Sequence, residues 1–119
     1  MSESIIKKKS FELAVIGIQL YKCLVSDKKE FVMCKQFLLS ITSVGANVRE
    51  AVNAQSKSDF IHKLSISQKE CDETMYWLEL LKDTDYISDE EFKNIYPKCE
   101  EVLKIIRSII ITSKATHNS

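Results

Sequence analysis

Glycine, proline, arginine and histidine are all scarce in this chain. Two Gly and one Pro in 119 residues leave almost no backbone punctuation. An all-β domain needs a turn every ten residues or so, built from Gly, Pro, Asn and Asp. A phosphate-binding loop needs glycines at fixed spacing, and Gly17 and Gly45 stand alone. Both architectures are excluded, and long helices remain. Of the 17 basic residues only Arg49 and Arg107 are arginine. Arginine is the side chain suited to forked phosphate and base contacts, so its scarcity argues against a dedicated nucleic-acid binder. No apolar run approaches the ~18 residues that cross a bilayer. Met1 to Ser10 carries Lys7, Lys8 and Lys9, but no apolar segment with a small-residue cleavage site follows, and no signal peptide is expected.

What is present is a balanced, soluble composition. Lys+Arg and Asp+Glu are equal at 17 each, and hydrophobic residues make up 45%. One domain is the natural count at this length. The first sixty residues hold nine basic against six acidic side chains, and the remainder eight against eleven. The four cysteines, Cys23, Cys34, Cys71 and Cys99, form no C-x-x-C pair. Three of them fall on apolar helical positions, where free cysteine behaves as a small buried hydrophobe. Reduced thiols in a cytoplasmic protein are expected rather than disulfides.

Near-heptad spacing predicts four helices. The first, about 5–25, aligns Phe11, Ala14, Ile18, Tyr21 and Val25 on one face. The second, about 28–54, aligns Phe31, Cys34, Leu38, Ile41, Gly45, Val48 and Val52. The third, about 57–82, aligns Phe60, Leu64, Ser67, Cys71, Thr74, Leu78 and Leu81. The fourth, about 89–113, aligns Phe92, Ile95, Cys99, Val102, Ile106 and Ile109. Ser88 and Glu91 have capping-box spacing, with Ile87 and Phe92 placed as a hydrophobic staple. Asp27 with Glu30 can start the second helix in the same way, and Ser56 or Ser58 the third. The short connections predict an all-α, antiparallel, up-down-up-down four-helix bundle over residues 1–119. Pro97 conflicts with its helix, so a kink is expected there, or a first helical piece ending near Tyr96.

The first helix has more apolar surface than a lone bundle uses. Leu13, Ile16, Leu20 and Leu24 form a second, offset stripe, and the fourth helix ends in Ile105, Ile106, Ile109, Ile110 and Ile111. Deeper burial within one subunit would also explain them. A four-helix bundle has no central helix, however, and monomers rarely expose large apolar patches. Self-association through Leu13, Ile16, Leu20, Leu24, Ile105 and Ile109 is therefore expected.

Three stretches carry a resemblance: Thr42-Ser43-Val44-Gly45-Ala46-Asn47-Val48-Arg49-Glu50-Ala51, Asp59-Phe60-Ile61-His62-Lys63-Leu64, and Gln68 to Leu81 with Lys69-Glu70 and Trp77-Leu78. The chain resembles the four-helix-bundle proteins encoded in intervening sequences of bacterial 23S ribosomal RNA genes, also labelled S23 ribosomal protein-like. The resemblance runs from about Phe11 to Ser113. It implies an antiparallel four-helix bundle and a ring-shaped homopentamer. It also implies a distant relation to the accessory protein of diversity-generating retroelements, a basic pentamer that binds reverse transcriptase and nucleic acid. The neutral balance here departs from that relative. The resemblance thus suggests a self-assembling protein of unknown role, with an RNA- or DNA-binding accessory protein as the alternative.

The small residues Ser43, Gly45 and Ala46 allow close approach of a neighbouring helix. If the chain turns near Ser56, Ser43 lies near Glu70 and Asn47 near Ser67. A polar layer of Ser43, Asn47, Ser67, Glu70 and Thr74 then crosses the bundle, a device that can set register and partner number. The alternative, Glu70 and Glu73 as a ligand pair, is disfavoured because carboxylates without histidine are poor transition-metal sites. His62 and His117 do not follow a glutamate by three, as di-iron bundles require. His62 is expected at the surface and His117 in a polar tail. Tyr76 and Trp77 read as core or interface, and Asp83 to Glu91 as a solvated loop and helix start. No catalytic, cofactor or metal residues, no cofactor and no small-molecule substrate are assigned. Lys7, Lys8 and Lys9 are the candidate nucleic-acid contact, with little affinity expected at physiological salt.

Overall fold

The computed structural model describes residues 2–118, with side chains from Ser4 to Thr116. His117 lies outside the described side chains. Four α-helices are present among these residues: α1 (Ser2–Cys23), α2 (Val32–Val52), α3 (Lys57–Asp83) and α4 (Asp89–Asn118). The molecule measures 51 × 21 × 20 Å. Helix α1 packs on α2 and α4, and α3 packs on the same two from the other side. Glu50 pairs with Lys63, Val44 with Ser67 and Ser40 with Thr74, so numbers fall along α2 as they rise along α3. Across α3 and α4 the pairs are Cys71 with Cys99, Glu79 with Tyr96 and Lys82 with Asp89.

The helix ends use side chains where glycine is missing. Ser88 and Glu91 exchange hydrogen bonds: the Ser88 N–H donates to Glu91 Oε1 at 2.8 Å, and the Glu91 N–H donates to Ser88 Oγ at 3.0 Å. Three acids in the first turn of α4 also meet its positive dipole end. Ser56, not Ser58, caps α3 by accepting from the Asp59 N–H. Helix α3 ends in a Schellman turn whose left-handed residue is Asp85, φ 66°. The Tyr86 N–H reaches the Leu81 carbonyl at 2.8 Å and the Asp85 N–H the Lys82 carbonyl at 3.1 Å. Helix α2 starts at Val32 rather than near Lys28. The chain leaves α1 through a π-helical turn, Leu24–Lys28, closed by the Lys29 N–H on the Leu24 carbonyl. Asp27 lies within that turn and starts no helix, while Glu30 accepts from the Cys34 N–H at 3.1 Å.

The two stripes of α1 are exchanged relative to expectation. Leu13 is 1% exposed and Leu24 3%, so both belong to the core and not to an assembly face. Phe11, expected inside, is 58% exposed. The inward face is Ile6, Ser10, Leu13, Gly17, Leu20 and Leu24, with steps of four and three throughout. Ser10 and Gly17 decide the choice because their small side chains let α2 come close. A Cβ on Gly17 would lie 2.6 Å from Ile41 Cδ1, and one on Gly45 would lie 3.3 Å from the Ser10 carbonyl oxygen. A bulkier residue at either contact would hold the helices apart.

Helix α4 passes through Pro97 without ending near Tyr96. Ile95, Cys99 and Val102 are buried on either side of it, and this packing holds the helix together across the missing hydrogen bond. Pro97 itself is exposed. Pro97→Ala is expected to raise stability by about 1–3 kcal/mol, because it restores a donor to the Lys93 carbonyl and removes no core contact. Denaturant unfolding measures this, and a destabilised variant would contradict it.

Candidate functional site

The interior offers thiols and hydroxyls, all with partners. Ser67 Oγ donates to the Val44 carbonyl at 2.7 Å from a fully buried position. Thr74 Oγ1 lies 3.0 Å from Ser40 Oγ and 2.8 Å from the Glu70 carbonyl, and its single proton goes to one of them. Ser40, which sequence reasoning left out, donates to the Phe37 carbonyl at 3.0 Å. Of the expected polar layer, Ser67 and Thr74 are buried, whereas Ser43, Asn47 and Glu70 sit half-buried on its flank. Asn47 bonds its own helix, donating from Nδ2 to the Ser43 carbonyl at 2.9 Å, and so does not reach Ser67.

Cys34, Cys71 and Cys99 are buried and Cys23 is exposed. Burial pushes the thiols of Cys34 and Cys71 up to about 12, and Cys99 is raised by the same cause. The Cys71 Sγ instead donates to the Cys99 carbonyl at 3.3 Å. These thiols stay protonated, which makes them packing groups rather than nucleophiles. No cluster of three or more His, Cys, Asp or Glu with metal-binding geometry occurs among the described residues. His62 is exposed.

The surface is more informative. Exposed large apolar side chains line α1 (Ile5, Phe11, Val15), the residue before α2 (Phe31) and α2 itself (Val32, Leu39). Of the six residues expected to mediate assembly, Ile16, Leu20, Ile105 and Ile109 are partly buried against the core, and Leu13 and Leu24 lie within it. Phe11 forms a ridge between two grooves. One groove, of about 400 Å³, runs between α1 and α2 over Ala14, Gly45 and Ala46, with Lys7 and Arg49 on its lip. The other, of about 430 Å³, runs between α1 and α4 beside Val15 and Lys98.

The three lysines do not share one face of α1. Successive helical positions diverge by about 100°, and Lys9 turns to α4, where it pairs with Glu101 at 3.2 Å. Lys7 and Lys8 are exposed and share their surface with Arg49, Phe11 and Glu12. Arg49 is the member that sequence reasoning missed. Its place on the same small-residue helix face as Thr42 and Ala46 was the available signal.

Long helices around a hydroxyl seam define an all-α protein of four helices. No helix among the described residues is long and apolar enough to cross a membrane. The chain belongs to the 23S rRNA-intervening sequence protein family, whose model matches residues 2–108. It is also similar to a protein of unknown function from the S23 ribosomal protein family of Bacteroides thetaiotaomicron, known from a crystal structure. That protein is 53% identical, the match covers 92% of this chain and 98% of that one, and the TM-score is 0.91. Comparison with curated proteins gives no match.

Glu70 is the one carboxylate of the seam's flank whose titration is displaced. Burial, then the neighbouring charge of Glu73, raises its pKa above the ordinary carboxylate value. A raised folded-state pKa means that the folded protein holds the proton more tightly than the unfolded chain. That contribution is present below pH about 4.5 and is lost as pH rises through the folded value. Glu70→Gln removes the ionisation. It is expected to flatten the stability profile just above pH 4.5 and to be at least as stable as the parent at pH 7. Unfolding midpoints across pH 4–7 measure both, and an unchanged slope would contradict the assignment.

Proposed function

We propose that the protein is a non-enzymatic, self-assembling interaction protein of the cytoplasm, built as an antiparallel up-down-up-down bundle that joins into a ring. The observation that carries this reading is the apolar surface of α1 and α2. Phe11, Phe31 and Val32 are 58%, 61% and 76% exposed in the single chain. A solitary bundle gains nothing from aromatic and β-branched side chains standing in water at two places on its surface, and exposed apolar side chains of this size suit contact with another chain. Helix pairings in opposite directions support the up-down topology. The number five rests on the family resemblance alone.

The family name invites a second reading, contact with structured RNA. The convergence of Lys7, Lys8 and Arg49 beside the exposed ring of Phe11 favours it. Affinity for a phosphate backbone grows with the number of cations engaged, and one subunit offers few. Assembly would multiply them by copy number.

Light scattering after size exclusion at micromolar concentration is expected to give a multiple of 13.7 kDa. A sharp peak at 13.7 kDa would overturn the reading.

For RNA, binding is expected to be weak near ~150 mM salt, where the Debye length is about 8 Å, and to fall steeply as salt rises. Joint replacement of Lys7, Lys8 and Arg49 by Ser should abolish it in a gel-shift titration. Tight, salt-tolerant binding would promote the RNA reading to first place.

A further inference from the structure

We infer that the α1–α2 groove of one subunit receives the outer face of α3, centred on Tyr76, from a second copy of this chain. The inference rests on the self-assembly reading and names the two faces that meet.

The groove combines apolar and cationic character. Its floor is Ala14, Gly45 and Ala46, its wall is Phe11, and Lys7 and Arg49 stand on its lip. Neither cation has an ion-pair partner among the described residues. The acid on the same rim, Glu50, is already held by Lys63 at 3.0 Å. The groove therefore suits an apolar anchor flanked by acids that no cation already holds.

The exposed apolar side chains beyond this face differ in the charges beside them. Around Phe31 and Val32 the lysines Lys28, Lys29 and Lys35 outnumber the acids Asp27 and Glu30, of which Glu30 is turned to the Cys34 N–H, and Ile111 lies between Arg107 and Lys114. Such surroundings repel a cationic groove. Tyr76 is 55% exposed, with Asp72 and Glu79 exposed about one turn to either side. It is also braced. Its ring meets Trp77 edge-on at 5.3 Å, and Trp77 Nε1 donates to Glu73 Oε1 at 3.4 Å. Glu79 is oriented by the Tyr96 hydroxyl, which donates to it at 2.6 Å. A rigid aromatic with positioned acids is the kind of anchor that fills a pocket with little loss of freedom.

The two faces lie on different parts of the subunit, since α3 packs on α2 and α4 while the groove opens beside α1. Each copy then offers one groove and one ridge. Such a contact is head-to-tail and adds copies until the rotation closes a ring.

The test uses two full-length variants. The groove variant carries Phe11→Ser and Arg49→Glu. The ridge variant carries Tyr76→Ser and Asp72→Asn. Each alone is expected at 13.7 kDa by light scattering, with helical circular dichroism unchanged. Mixed in equal amounts they should form a species of twice that mass and nothing larger, because each keeps one intact face. The milder Arg49→Ala and Asp72→Ala should each weaken assembly several-fold without threat to the fold. Parental mass in either double variant would overturn the assignment of faces while leaving self-assembly standing. Monomers alone in the mixture would overturn head-to-tail geometry. A monomeric parent protein would overturn both readings. Loss of RNA binding in the groove variant, with its mass unchanged, would assign the groove to nucleic acid instead.

Discussion

The close approach of α1 to α2 governs the rest of this structure. It occurs at two small-residue contacts, Gly17 on Ile41 and Gly45 on the Ser10 backbone. Both are tighter than a Cβ would allow without movement. A helix with two apolar stripes has no intrinsic reason to bury one rather than the other. The stripe containing Ser10 and Gly17 lets the helix axes come nearest, and dispersion and apolar burial both reward the shorter distance. Once that face turns inward, Phe11 and Val15 must turn outward. The exposed apolar surface of α1 is thus a consequence of how the core closes.

The seam between α2 and α3 supplies a second constraint of a different kind. Apolar packing is tolerant of small slips, but a buried hydroxyl is not, because an unpaired polar group inside costs about 1–3 kcal/mol. Ser67 meets the Val44 carbonyl and Thr74 lies within reach of Ser40. A shift of one residue would strand these groups. Among the described residues, no buried side-chain oxygen or nitrogen lacks a partner. The seam therefore sets register where leucine and valine alone would leave it loose.

Scarce glycine shapes the connections. Left-handed backbone at the end of α3 and before α2 is supplied by Asp85 and Lys29. Aspartate tolerates this region better than most residues. The π-helical turn before Lys29 absorbs the reversal in place of a glycine-rich loop. Side-chain caps take over the remaining work at Ser56 and Ser88. These short, capped connections keep the bundle narrow and leave the flanks of α1 open as grooves.

Helix number, a serine cap for α3 at Ser56 or Ser58, and the Ser88–Glu91 capping box were legible because each depends on residues within one or two turns of one another. Periodicity of 3.6 and capping chemistry are local properties, and the sequence alone determined them. The inward face of α1 was not legible, since Ser10 and Gly17 do not register as apolar even though they sit on the heptad of Leu13 and Leu24. Nor was the basic patch, because Lys7 and Arg49 become neighbours only when two helices pack. Ser40 joined the seam for the same reason. Those features belong to tertiary structure, which chose among faces of similar hydrophobicity by the distance at which helices can meet.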